Sequence, residues 1–176
     1  MIVWINGAFG TGKTTTAYEL HRRIPGSFVY DPEEVGYFIR KNSPVSVHKS
    51  DFQDYPLWRE TNLSMLGMIE REHPGVVIVP MTLVKPQYFR EIVGALRAEG
   101  VEVRHFALLA RRETLLQRLK GRGDGSDSWP AQQIDRCLEA LSAEAFGMHL
   151  HTDEMTPDDV VERIAAECGI ELQAGS

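Results

Sequence analysis

The sequence predicts a three-layer α/β fold, with a parallel sheet of five strands between two layers of helices. Three observations predict it. Short apolar runs of strand length alternate along the chain with longer stretches of helical composition. The runs are continuously apolar, as expected of strands covered on both faces. Between the first run and the first helical stretch lies Gly7-Ala8-Phe9-Gly10-Thr11-Gly12-Lys13-Thr14, a full match to the G-x-x-x-x-G-K-[ST] pattern of a P-loop NTPase.

The elements follow in order. Residues 2–5, Ile-Val-Trp-Ile, form the first strand, and 13–23 the first helix, stopped by Pro25-Gly26. A second strand covers 27–30. Asp31-Pro32-Glu33-Glu34 then opens a helix with a capping residue, a proline at the first helical position and acids at the positive dipole end. Residues 42–51 have a loop composition, and a longer helix runs from about 55 to 72. Val76-Val77-Ile78-Val79 is the most emphatic strand. A helix over 86–99 stops at Gly100. Strand 101–109, helix 113–120, a glycine-rich loop over 121–128 and a helix over 130–145 come next. A short strand at 148–151 and a helix over 157–168, ended by Gly169, complete the chain. With no internal repeat or linker, residues 1–176 read as one nucleotide-binding domain.

Composition excludes several functions. A net charge of −6 argues against a nucleic-acid partner, which calls for a basic stripe. Cys137 and Cys168 lack C-x-x-C spacing and read as small apolar helix residues. The six histidines show no zinc-ligand spacing beyond a weak His149/His151 pair. The first apolar run is too short for a signal or a membrane span, and the tail from 171 to 176 has no lipidation motif or basic amphipathic stretch. A cytoplasmic protein without integral membrane association is expected; the oligomeric state stays open.

The chemistry of the phosphate loop follows from its parts. Its glycines let successive N–H groups point into one concavity, and the helix beginning at Lys13 adds its unpaired N–H groups. Lys13 supplies a mobile charge for the terminal phosphates of ATP, and the Thr14 hydroxyl can ligate Mg²⁺, with Thr15 alongside. No N-K-x-D or D-x-x-G segment occurs, which favours ATP over GTP and a transferase over a timer.

Other groups are placed by their position. The strongest strand run ends in Pro80-Met81-Thr82 with no acid, so the magnesium-organising carboxylate common in P-loop proteins must come from elsewhere. Asp31 follows the second strand, where carboxyl ends of strands line a ligand crevice. It reads as a helix cap, as a base toward an acceptor hydroxyl, or as both. Arg118, just before the loop Gly121-Arg122-Gly123-Asp124-Gly125, and Arg122 within it form the arginine face of a short lid over about 118–130, or else belong to a solvated basic helix and turn. Phe52, Tyr55 and Trp58 are core residues or the apolar wall of an acceptor pocket. Met81, Thr82 and Lys85 would face the same crevice. Thr152 and Asp153 would lie near the base edge of the nucleotide.

Ile2-Val3-Trp4-Ile5-Asn6-Gly7-Ala8-Phe9-Gly10, Val29-Tyr30-Asp31-Pro32-Glu33, Tyr55-Pro56-Leu57-Trp58-Arg59, Ile78-Val79-Pro80-Met81-Thr82 and Gln133-Ile134-Asp135-Arg136-Cys137 together resemble the TmrB-type tunicamycin-resistance proteins. The resemblance runs from Met1 to about Ala166. It implies a nucleoside-monophosphate-kinase-like fold, ATP binding through residues 7–14, and protection against tunicamycin, a uridine-bearing nucleoside with a fatty acyl chain. The leading expectation is an ATP- and Mg²⁺-dependent kinase of tunicamycin or a nucleoside-like acceptor. Lys13, Arg118 and Arg122 would act on the transferring phosphoryl, and Asp31 on the hydroxyl. A non-catalytic, ATP-gated drug-binding protein and a housekeeping nucleoside or sugar kinase remain as alternatives.

Overall fold

The central strand of the sheet is β1 (Ile2–Gly7), and its alternation divides the core. Ile2 and Trp4 point into one apolar cluster, Val3 and Ile5 into another, and all four are fully buried. The computed structural model describes residues 1–174; Gly175 and Ser176, the end of the tail read above, lie outside the described residues.

After β1 the chain forms α1 (Lys13–Arg23), β2 (Phe28–Val29), α2 (Glu33–Lys41), α3 (Pro56–Glu72) and β3 (Val77–Pro80). Then come α4 (Pro86–Phe89), a π-helical turn (Arg90–Gly94) and α5 (Ala95–Ala98), which run on as one helix. β4 (Val103–Leu109), α6 (Arg112–Gly121), α7 (Trp129–Gln132), α8 (Ile134–Leu141), β5 (Met148–His151) and α9 (Pro157–Cys168) follow. The sheet is wholly parallel with strand order β2-β3-β1-β4-β5. Helices α1 and α9 bury Ala17, Leu20, Val161 and Ile164 against one face. Trp58 and Leu66 of α3, Ile92 and Leu96 of the 86–98 helix, and Ile134 and Leu141 of α8 cover the other. This is the three-layer, parallel-sheet architecture expected from the sequence.

Three elements differ from the reading of the sequence. β2 pairs over two residues only, because it lies at the sheet edge; backbone bonds from Phe28 N to Val76 O and from Tyr30 N to Ile78 O flank it. The single helix expected over 130–145 is broken at Gln133, which ends α7 and begins α8. The break turns Ala131 of α7 and Ile134, Cys137 and Leu141 of α8 into the same core, and a 3-10 turn at Glu144–Phe146 then buries Phe146. The 86–99 helix widens into its π-turn at Arg90. Among the described residues no helix is long and apolar enough to cross a membrane. Both cysteines are buried and unpaired.

One polar side chain sits at the carboxyl end of β1. Asn6 is fully buried; its Oδ1 accepts from Gly7 N at 2.9 Å and Leu83 N at 3.0 Å. Its Nδ2 donates to Leu83 O at 2.8 Å and lies 3.2 Å from His105 Nε2. Burial pushes the His105 imidazole down to about 3, so the ring is neutral and its Nε2 can accept. Asn6 thereby joins the first residue of the phosphate loop to the segment after β3. Asn6→Ala strands three buried backbone groups, and urea unfolding is expected to show a loss of about 2–4 kcal/mol.

Candidate functional site

The phosphate loop turns on two glycines in the left-handed region, Gly10 (φ 86°) and Gly12 (φ 93°). Gly10 also lies where a Cβ would come within 3.1 Å of Leu115 O. Gly12 heads α1, whose first N–H groups open toward the loop. The Ala8 carbonyl organises the interior, accepting from Thr11 Oγ1 at 2.8 Å and Lys13 Nζ at 3.1 Å. Thr82 Oγ1 donates to Gly7 O at 2.7 Å, tying the loop to the segment after β3.

A cavity of about 1290 Å³ opens over the loop at the carboxyl edge of the sheet. That is larger than one drug-sized ligand needs. Phe9 to Thr16 form its floor, and Arg118, Arg122 and Trp129 one side. Asp31, Glu33, Tyr37, Arg40, Asp51 and Phe52 form the opposite wall, with Met81 and Thr82 between.

On the phosphate side, Lys13 is half-buried, with its Nζ 5.3 Å from the Phe9 ring centroid. Burial pushes its pKa down to about 8; Arg122 adds to the shift, while Cys137 and Glu33 oppose it. Arg118 donates to Thr152 O at 2.9 Å and Thr152 Oγ1 at 3.3 Å, which places both residues on the cavity. Arg122, exposed at the end of α6, lies one turn further on. Trp129 packs edge-on against Phe9 with centroids 5.1 Å apart.

On the opposite wall, Asp31 Oδ1 accepts from Glu33 N at 2.9 Å, capping α2 while the side chain lines the cavity. Met81 and Thr82 line the cavity between its two sides. Phe52 also lines the wall, with Tyr37 edge-on at 5.1 Å and the Arg40 guanidinium 4.3 Å from its ring centroid. Its ring rests on Gly36, where a Cβ would come within 2.3 Å of Phe52 Cγ.

Six expected site residues do not line the cavity: Gly7 and Ala8 are buried beneath the phosphate loop, and the side chains of four others are held elsewhere. Trp58 is fully buried and donates from Nε1 to Pro32 O at 2.8 Å, so it anchors the start of α2. Tyr55 is buried too, its hydroxyl accepting from Lys49 N at 2.7 Å. Lys85 is drawn outward by Asp54 at 2.7 Å and by the Tyr88 hydroxyl. Asp153 is spent on the start of α6, accepting from Arg111 N at 3.0 Å and Thr114 Oγ1 at 2.7 Å. In each of these four a tertiary partner commits the side chain.

Glu33, Tyr37 and Arg40 were missed. Their spacing of i, i+4, i+7 puts one face of α2 on the cavity, a signal present in the sequence but masked by the capping reading. Burial and the neighbouring Asp31 raise the Glu33 pKa, and Lys13 opposes the shift. Among the described residues nothing donates to the Glu33 carboxylate.

Comparison with known proteins agrees with this geometry. Residues 2–143 match the model of the AAA domain family. The structure of the Deinococcus radiodurans tunicamycin resistance protein superposes with a TM-score of 0.84 and 35% identity, covering 99% of both chains. A gluconokinase from Sinorhizobium meliloti gives a TM-score of 0.66 at 16% identity, over 95% of this chain and 90% of that one. A sugar kinase from a Janibacter species gives 0.66 at 18%, over 96% and 94%. These two likenesses speak to the fold alone. No curated protein sequence matches the chain. A phosphate loop in this fold implies binding of a nucleotide such as ATP.

The depressed Lys13 pKa makes that binding pH-dependent. The free lysine loses its proton above about pH 8, whereas bound phosphate favours the charged form and raises the pKa, so binding takes up a proton. Between pH 7.5 and 9.5, where the nucleotide phosphates are already ionised, ATP affinity measured by calorimetry is expected to fall above pH 8, approaching about tenfold per pH unit. Lys13→Arg, charged throughout, is expected to flatten the slope.

Proposed function

The chain belongs to the P-loop family whose AAA-domain model it matches, together with the Deinococcus tunicamycin resistance protein, and on that premise we propose that it is an ATP-dependent kinase of tunicamycin or a similar nucleoside-like acceptor. One observation carries the reading: the phosphate loop, two arginines from the end of α6 and the carboxylates after β2 line a single cavity.

In this reading residues 1–176 act as one nucleotide-binding domain. Residues 31–60 and 80–90 form the acceptor region, and residues 118–130 the lid. The loop N–H groups and Lys13 hold the β- and γ-phosphates, and Thr152 lies near the base edge. The acceptor hydroxyl attacks the γ-phosphorus, a new O–P bond forms, and the bond to the β-phosphate oxygen breaks to release ADP. Asp31 takes the hydroxyl proton through the carboxylate oxygen that the α2 cap leaves available. Arg118 and Arg122 offset charge on the transferring group, and lid closure excludes water.

The donor set suits Mg²⁺. The exposed Thr14 hydroxyl is a hard oxygen donor on the cavity floor, beside the loop that would hold the phosphates. Among the described residues no group of three His, Cys, Asp or Glu forms a metal cage, so the ion would take its remaining ligands from phosphate and water. When bound, it would neutralise charge between the phosphates. An enzyme that spends ATP belongs in the cytoplasm.

A second reading, sequestration of the drug with ATP as a gating ligand, is favoured by the end of β3. Thr82 stands where a magnesium-organising acid is common, and its hydroxyl is committed to Gly7 O. Incubation of the protein with Mg-ATP and tunicamycin, followed by mass spectrometry of the drug, separates the two. A kinase adds one phosphoryl group over many turnovers; a sequestering protein binds the drug unchanged and only up to its own concentration. Asp31→Asn is expected to keep ATP affinity and lose turnover by roughly 10²–10⁴-fold. Unchanged turnover in that variant removes Asp31 from the chemistry.

A further inference from the structure

The cavity is divided by charge. Resting on the kinase reading above, that division bears on which acceptors can enter. The wall facing the phosphate loop carries three carboxylates, Asp31, Glu33 and Asp51. Among the described residues its one cation is Arg40, and that guanidinium is already committed. It lies 4.3 Å from the Phe52 centroid and donates to Lys49 O at 2.8 Å and Ser50 O at 3.2 Å.

The cations behind the wall are committed as well. Arg136 donates from Nη2 to Asp51 Oδ2 at 3.0 Å. Arg59 pairs with Glu91 and donates to Gln53 O at 2.6 Å. Lys85 holds Asp54 at 2.7 Å. The remaining cavity cations, Lys13, Arg118 and Arg122, stand on the phosphate side.

A carboxylate or phosphate on an acceptor would therefore meet like charge and no uncommitted partner, and would lose its hydration without replacement. A hydroxyl meets the opposite situation, because the Glu33 carboxylate accepts from nothing among the described residues. Beside Ser50 and Gln53 the wall also presents aromatic and apolar surface: Tyr37, half exposed and edge-on to Phe52, and Met81. Burial already raises the Glu33 pKa, with Asp31 and Asp51 adding to the shift, so the wall resists further negative charge.

We propose that this wall selects uncharged, hydroxyl-bearing acceptors with a planar or apolar portion and excludes anionic ones, with Glu33 hydrogen-bonding an acceptor hydroxyl and the Asp51–Arg136 pair withholding the nearest cation. The selection sets this chain apart from a kinase that must hold an acidic sugar or a nucleoside monophosphate.

The test uses the full chain saturated with magnesium and a non-hydrolysable ATP analogue, titrated by calorimetry with tunicamycin, uridine, uridine monophosphate and gluconate. Release of ADP from ATP is assayed in parallel. The uncharged ligands are expected to bind, with uridine favoured over its monophosphate by roughly 10- to 100-fold, the range for one charge-assisted bond gained or lost. Asp51→Asn keeps an acceptor for Gln53 N, removes one carboxylate and frees Arg136, and is expected to narrow that preference by about tenfold. Tighter binding of the monophosphate or gluconate, or no binding of any uncharged ligand by protein that binds the ATP analogue, overturns the proposal. So does an unchanged preference in a folded Asp51→Asn variant. Binding of uncharged ligands without ADP release upholds the charge selection and refutes catalysis, so the two readings fail separately.

Discussion

The Asn6 carboxamide is the constraint on which the site depends. It faces backbone groups of both polarities, accepting from Gly7 N and Leu83 N and donating to Leu83 O, a pattern that a carboxamide satisfies without charge. The Gly7–Thr82 bond runs beside it. Together they lock the beginning of the phosphate loop to the segment carrying Met81 and Thr82, so the floor and the middle of the cavity keep a fixed spacing. The apolar cores on either side of β1 hold the strand, and the amide determines where its end is aimed.

Much of the fold was legible in the sequence, because local signals and tertiary demands agree there. The first helix begins at Lys13 and ends at Arg23 as read, and Thr156 caps α9 in a capping box with Asp159. The strand order was not legible, since nothing in an apolar run states its neighbour. Nor was the break at Gln133, which serves the packing of Ala131 and Ile134 rather than any breaker residue. The phosphate loop was fully readable, as its chemistry lies in consecutive residues. The opposite wall was read only in part. Trp58 and Tyr55 have the composition of a binding wall, yet Pro32 O, 26 residues away, and Lys49 N, on the preceding loop, claim their polar atoms. Glu33, Tyr37 and Arg40 had the right spacing, but their exposed face could not be told from a solvated one until the cavity stood beside it.

Electrostatically, the cavity brings together two groups that burial shifts toward their neutral forms. Lys13 is shifted toward losing its proton and Glu33 toward keeping one, and each carries a charge that favours ionisation of the other. With Arg122 near the lysine and Asp31 near the glutamate, the field runs from a positive side to a negative one. A ligand anionic at one end and neutral at the other fits that field in one orientation.

The wall opposite the phosphate loop is drawn from a single stretch of chain, residues 31–82, lying between α1 and β4, whereas the floor and the lid side come from the segments before and after it. The two halves of the cavity are thus written in separate passages, joined by the β1–β3 ladder and, at its carboxyl end, by Asn6 and Thr82. Changes confined to the loops of that passage would leave β1, β3 and the phosphate loop in place, so what the cavity recognises can vary while its grip on phosphate is kept.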